Sequence, residues 1–170
     1  MDRMNRAAIV VGVSGSIASA AALSWAAAES RRRHAPLRVV RSWDPEFSSE
    51  GLPAGVQMVP AQQRRAAGES LASVLSAAFG PRLPGYVTAE LAEGVSERVL
   101  ADRSAGADLL VLGCAAPPAG ARGAARSIGP VVRSCLSRAH CPVAVISPDS
   151  PTGRDTVTRM SRPAAVSPEA

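Results

Sequence analysis

The chain has no lysine: its 19 basic residues are all arginine, against 14 acidic ones. It has few aromatics, 3% of residues, although 46% are hydrophobic. A core of 170 residues must therefore be assembled from Ala, Val, Leu and Ile, which suits helices packed closely on a parallel sheet. The arginine bias, together with heavy use of Ala, Gly and Pro, reads as a GC-rich bacterial coding background rather than selection for arginine chemistry. No aromatic residues interleave the basic ones, so the net charge of +5 is not read as a nucleic-acid surface. Arg31, Arg32 and Arg33 fall instead at an expected helix end, where cations meet the dipole favourably.

Cysteine and histidine are equally sparse. Cys114, Cys135 and Cys141 form no CxxC, and with only His34 and His140 available no Cys/His cluster has metal-ligand spacing. Adjacent His140 and Cys141 point in opposite directions at a strand entry, so no metal is expected. The thiols read as reduced and mostly buried, in a cytoplasmic protein. Cys114 follows a strand, but Gly113, Ala115 and Ala116 around it offer no base or charge, so it reads as structural. An acid pair with a metal, a Ser/His/Asp arrangement and a lysine are all missing, so no catalytic set is expected.

One long uncharged stretch, Ala7 to Ala28, follows Asp2, Arg3 and Arg6 and superficially resembles a signal peptide or membrane span. Its centre is the polar turn Gly12-Val13-Ser14-Gly15-Ser16. Beyond that turn, Ile17, Ala21, Trp25 and Ala28 recur at helical spacing. A strand and an amphipathic helix are therefore expected there, with no membrane partner; a secretory segment is the alternative.

The rest of the chain alternates. Strands are expected at Ala8–Val13, Leu37–Trp43, Tyr86–Leu91, Leu109–Leu112 and Val143–Ile146. The third alternates apolar and polar residues like an edge strand, and the fourth is uniformly apolar like a central one. Ser16 is the expected N-cap of a helix from Ile17 to about Arg33. Leu71, Val74, Leu75 and Ala78 mark a second helix, ended by Gly80-Pro81. Val95 and Val99 mark a short third, and Val132, Cys135, Leu136 and Ala139 a fourth. Asp44 to Pro60 reads as a loop. The expected layout is a flexible N-terminus (1–6), one α/β domain (7–147) and a disordered tail (148–170). Five strands with intervening helices call for a five-stranded parallel doubly wound sheet, whose ligand site lies beyond the strands' carboxyl ends. That edge carries Ser14-Gly15-Ser16, Ser42-Trp43 and the loop from Cys114 to Ile128.

Four segments make the sequence resemble the universal stress protein family: Ile9-Val10-Val11-Gly12-Val13-Ser14-Gly15-Ser16, Ala35 to Trp43, Ala107-Asp108-Leu109-Leu110-Val111-Leu112-Gly113, and His140-Cys141-Pro142-Val143-Ala144-Val145-Ile146. The resemblance implies strand order 3-2-1-4-5, a Rossmann-like fold, a homodimer through the Val143–Ile146 edge strand, and an adenine nucleotide, ATP in some members, as ligand. Mapped onto this chain it implies a site at Gly12, Ser14, Ser42, Gly113, Gly129 and Val131; Arg122, Arg126 and Ser127 of the lengthened loop are added as candidates to hold phosphate, the alternative being a solvated loop that binds nothing.

The chain departs from the ATP-binding members of that family. Ser14 stands where they carry an Asp, and Ser42 where an apolar residue faces the base. Their phosphate loop runs Gly, two residues, Gly, nine residues, Gly, then Ser or Thr. Here Ala116 occupies the second glycine position, Gly129-Pro130 the last pair, and the interval from Gly113 to Gly129 is three residues longer. Pro130 offers neither an N–H nor a hydroxyl to a phosphate. Arg122 and Arg126 could compensate by holding phosphate bidentately. The expectation is a non-catalytic stress-response module that binds an adenine nucleotide weakly, the alternative being a ligand-free dimeric scaffold.

Overall fold

The computed structural model describes residues 7–46, 59–114 and 128–148. The expected N-terminal segment 1–6, most of the Asp44–Pro60 loop, Arg122, Arg126 and Ser127, and all but Pro148 of the expected tail lie outside the described residues.

Nine elements follow in strict alternation: β1 (Ile9–Gly12), α1 (Ile17–Arg33), β2 (Leu37–Trp43), α2 (Pro60–Phe79), β3 (Val87–Glu93), α3 (Ser96–Arg103), β4 (Leu109–Gly113), α4 (Pro130–Arg138) and β5 (Val143–Ile146). The strands form one all-parallel sheet in the order β3-β2-β1-β4-β5. Winding runs one way from β1 to β3 and reverses to reach β4 and β5. Right-handed crossovers then require the helices to change faces at the reversal. They do: α1 and α2 cover the face of Ile9, Val11, Leu37, Val39, Leu109 and Val111, whereas α3 and α4 cover Val10, Val40, Leu110, Leu112 and Val143.

Strand type follows burial. β4 is central and its four aliphatic residues Leu109–Leu112 are buried on both faces, each such side chain contributing about 1.5–3 kcal/mol. β3 is an edge and carries Glu90 and Glu93, charges that discourage pairing with another chain. It runs to Glu93 rather than stopping at Leu91, because Ser42 and Trp43 continue the ladder opposite Ala92 and Glu93.

Helix α1 corrects one expectation. The stripe Ile17, Ala21, Trp25 and Ala28 is only partly buried: Ala21 and Trp25 pack against the rim of the core, Ile17 is 81% exposed and Ala28 is exposed, while the sheet is met by Ala18, Ala22, Leu23, Ala26 and Ala27. The bulky residues dominate the apparent stripe, but alanines let the helix axis sit close to the sheet. The approach is closest at Gly113, where an added Cβ would lie 2.3 Å from the Ala18 carbonyl oxygen.

Two further boundaries shift. Pro60 is the first residue of α2 rather than the end of the loop, as a proline at the first helical position allows. Val95 is the N-cap of α3 and half exposed, so the helix begins at Ser96. Polar groups inside the core are tied down where the elements meet. Ser104, fully buried after α3, donates to the Ala101 carbonyl at 2.6 Å and accepts the His140 N–H at 2.7 Å. That bond fastens the end of α3 to the entry of β5. Cys135 and Cys141 lie in the same layer, and burial pushes both thiols up to about 11.

Candidate functional site

The reversal of winding falls between β1 and β4, and the chain leaves a cleft of about 250 Å³ beyond their carboxyl ends. Neighbouring crossovers depart from β1 and β4 to opposite faces, so nothing regular fills the space between them.

Each wall has a local cause. The turn after β1 is made by Gly15, whose φ of +83° is one that side-chain-bearing residues rarely adopt. It delivers Ser16 as the N-cap of α1: Ser16 Oγ accepts the Ser19 N–H at 3.2 Å, and the Ser14 and Ser16 hydroxyls lie 3.0 Å apart. From the opposite face of the sheet, Arg41 Nη1 donates to the Val13 carbonyl at 3.4 Å; burial lowers the pKa of this guanidinium, and its Nε lacks a partner among the described residues. At the end of β2, Ser42 faces the first turn of α3, and its hydroxyl lies 2.6 Å from that of Ser96.

Gly12, beside them, is closely packed by Leu100, whose Cδ1 would stand 2.9 Å from an added Cβ and would have to turn aside to admit one. The far wall is the start of α4. Gly129 is its N-cap and Pro130 its first residue, with no side-chain capping bond. Cys114, just past β4, donates its backbone N–H to the Ile146 carbonyl at 2.8 Å and is buried.

Of the residues expected from sequence, Gly12, Ser14, Ser42, Gly113, Gly129 and Val131 all line this one cleft. Arg122, Arg126 and Ser127 lie outside the described residues. Sequence reasoning missed Ser19, Ser96 and Leu100, together with Val40 and Leu112 of the sheet. The signal for Ser96 was available: a hydroxyl in the first turn of a helix that follows a strand must sit at the carboxyl edge of a parallel sheet.

The chemistry of the lining is uniform. Hydroxyls of Ser14, Ser16, Ser19, Ser42 and Ser96 face apolar surfaces of Val40, Leu100, Leu112 and Val132. No charged side chain lines the cleft among the described residues. Such a surface can sandwich a flat apolar ring and hydrogen-bond a sugar, but it holds no group to neutralise a polyanion.

A second depression, about 610 Å³ and more open, lies at the opposite edge of the sheet among Arg32, Arg33, His34 and Asp108. Its arginines are engaged by Glu29, Arg32 Nε at 2.8 Å, at the end of α1 where they complement the dipole. That edge carries the amino ends of β1, β2 and β4, not the carboxyl ends at which ligands bind in sheets of this kind.

Comparison with known proteins gives one consistent set of similarities. The model of the universal stress protein family matches residues 5–147. Universal stress protein Rv2623 of Mycobacterium tuberculosis is 31% identical over 141 residues, which cover 81% of this chain and 46% of the relative. The chain thus spans about half the length of the curated relatives it matches. Among solved structures, the universal stress protein of Archaeoglobus fulgidus in complex with dAMP superimposes with a TM-score of 0.57 at 23% identity, over 84% of this chain and 99% of that one. A universal stress protein in complex with cAMP gives 0.56 at 18% identity, over 82% and 96%.

Proposed function

The chain belongs to the universal stress protein family, and from that premise we propose that it is a non-catalytic, cytoplasmic binding module that takes an adenine nucleotide weakly in the cleft between β1 and β4. The observation that carries this reading is the convergence of Gly12, Ser14, Ser42, Gly113, Gly129 and Val131 on one cleft at the point where the strand order reverses. Two structural neighbours are complexes with cAMP and dAMP, which supports an adenine nucleotide as the ligand class. The lining favours binding over catalysis: it offers hydroxyls and aliphatic walls but, among the described residues, no acid, base or metal-ligating cluster. No helix among the described residues is long and apolar enough to cross a membrane.

Isothermal titration with AMP at high protein concentration tests the proposal. Binding in the micromolar to low-millimolar range is expected, and Ser42→Phe, which fills the cleft, should abolish it. Nucleotide recovered unchanged after prolonged incubation supports the non-catalytic part; turnover contradicts it. If no heat and no shift in melting temperature are seen, the ligand-free scaffold is the correct reading.

That second reading has its own observation. β5 forms an edge of the sheet and is wholly aliphatic, with Val145 only partly buried. An apolar edge strand without charges invites pairing, here with β5 of a second copy. A homodimer of this kind serves either reading.

A further inference from the structure

Polar and apolar parts of the cleft are stacked on the same two elements. On β2, Ser42 stands two residues beyond Val40 and so on the same side of the strand. On α3, Ser96 stands one turn before Leu100, on the same face of the helix. Val40 and Leu100 are buried in the layer between the sheet and its α3–α4 cover, a layer they share with Leu112 of β4 and Val132 of α4. A flat ring laid against these aliphatic groups therefore presents an edge to the Ser42 and Ser96 hydroxyls. Those hydroxyls are half-buried and 2.6 Å apart.

A serine hydroxyl carries one donor hydrogen and two acceptor lone pairs. One hydrogen is used between the two oxygens, so the pair turns one O–H and the remaining lone pairs outward. The result is a donor and an acceptor side by side. The edge of adenine at its six-position has the complementary order, an amino group that donates next to a ring nitrogen that accepts. Hypoxanthine carries the reverse, a carbonyl oxygen beside a ring N–H. Either serine can be the donor in the shared bond, so rotation of the hydroxyls lets the pair meet either edge. Unsubstituted purine lacks the exocyclic group and leaves one hydroxyl without its mate. In a half-buried site that loss is costly, because the hydroxyl has already been withdrawn from water.

We infer that the Ser42–Ser96 pair reads the six-position of a purine ring, requiring a polar group there and accepting an amino or a keto group alike. The inference rests on the proposed reading of the cleft as an adenine site and adds the residues that recognise the ring.

The test is calorimetric titration of the full chain with AMP, IMP and purine riboside 5′-monophosphate, repeated on Ser42→Ala/Ser96→Ala. The three ligands share ribose and phosphate, and contacts made elsewhere in the cleft are common to parent and variant, so both cancel in the comparison. The double replacement should weaken AMP and IMP each by at least about fivefold more than the purine analogue. Either single replacement leaves one hydroxyl and should show the same order, with a difference of about twofold or more, which serves also if the double variant does not fold. Ser96→Thr keeps the hydroxyl and should bind all three ligands as the parent does. Equal losses for the three ligands overturn the inference while leaving the adenine site intact. A loss for AMP with IMP unaffected or unbound overturns the acceptance of a keto group. A folded Ser96→Thr that behaves like Ser96→Ala overturns the role of the hydroxyl. Failure of AMP to bind the parent overturns the inference together with the adenine-site reading.

Discussion

The hydroxyls of Ser42 and Ser96 lie 2.6 Å apart and join the last turn of β2's ladder to the first turn of α3, across the mouth of the cleft. They are 54 positions apart in sequence. The bond adds a side-chain tie between two walls already brought together by the β2–β3 ladder, which ends at Trp43 opposite Glu93, and by the Gly94 N–H donated to the Trp43 carbonyl at 2.8 Å. Removing one partner leaves the other half-buried and without its mate, so Ser96→Ala and Ser42→Ala should each destabilise the fold by about 1 kcal/mol. In a double-mutant cycle the two losses should not add, with a coupling of about 1 kcal/mol from urea unfolding. Strict additivity would show that the two hydroxyls do not bond in solution.

Gly113 should tolerate no side chain. An alanine there would press its Cβ into the backbone of α1, with the Ala18 carbonyl carbon at 2.4 Å and the Ser19 nitrogen at 2.7 Å. Backbone cannot rotate away as a side-chain tip can, so the helix or β4 must move. Gly113→Ala should lower stability by about 2 kcal/mol or more in chemical denaturation. A variant as stable as the parent would mean that α1 sits farther from the sheet than described.

Glu29 gives the fold an acid-sensitive contribution. Its hydrogen bond with Arg32, reinforced by Arg33, lowers its pKa to about 2 against the opposing effect of burial. The folded-state value lies below the ordinary carboxylate range, near 4.3, so the stabilisation is complete above that range and disappears as pH falls toward 2. Arg32 is 70% exposed, and screening holds the contribution to about 1 kcal/mol or less. Glu29→Gln should thus be less stable than the parent at pH 7 and indistinguishable from it at pH 2. The check is a set of urea midpoints across that interval; a gap that persists unchanged at pH 2 would assign the loss to packing instead of charge.

Val145→Asp probes the β5 edge. If β5 pairs with a second copy as proposed, the parent should elute as a dimer, and the variant, whose charge opposes that pairing, as monomer or aggregate. An unchanged dimer would move the interface elsewhere.

Much of the fold was legible because strands and helices differ in period. Leu109–Leu112 announced a buried central strand, the alternation around Tyr86–Leu91 an edge, and Gly80 a helix end, where its N–H indeed meets the Ser76 carbonyl at 2.9 Å. The orientation of α1 was not legible. A helix of nearly continuous alanine has almost no contrast between faces, so Ile17 and Trp25 defined a stripe whose centre, Ala21 and Trp25, packs only at the rim of the core and whose ends are exposed. The candidate site divided in the same way. Its glycines and the serines of the first two strand ends could be placed from the order of elements. Ser96 could be placed at the carboxyl edge because it opens the helix after β3, but Leu100 could not be placed against Gly12, because what brings α3 over the end of β2 is the packing of two helices on one face of the sheet, a long-range event with no local signature.

The tight seat of Gly113 against α1 bears on how such chains diverge. A lineage that stopped using a nucleotide altogether would still be unable to give up this residue, because the spacing of helix and sheet depends on it. Its presence at the head of the loop after β4 is thus required by the architecture whether or not a nucleotide is bound. Gly129 is different: among the described residues a Cβ there would meet nothing within 4 Å, so packing does not hold this position to glycine as it holds Gly113.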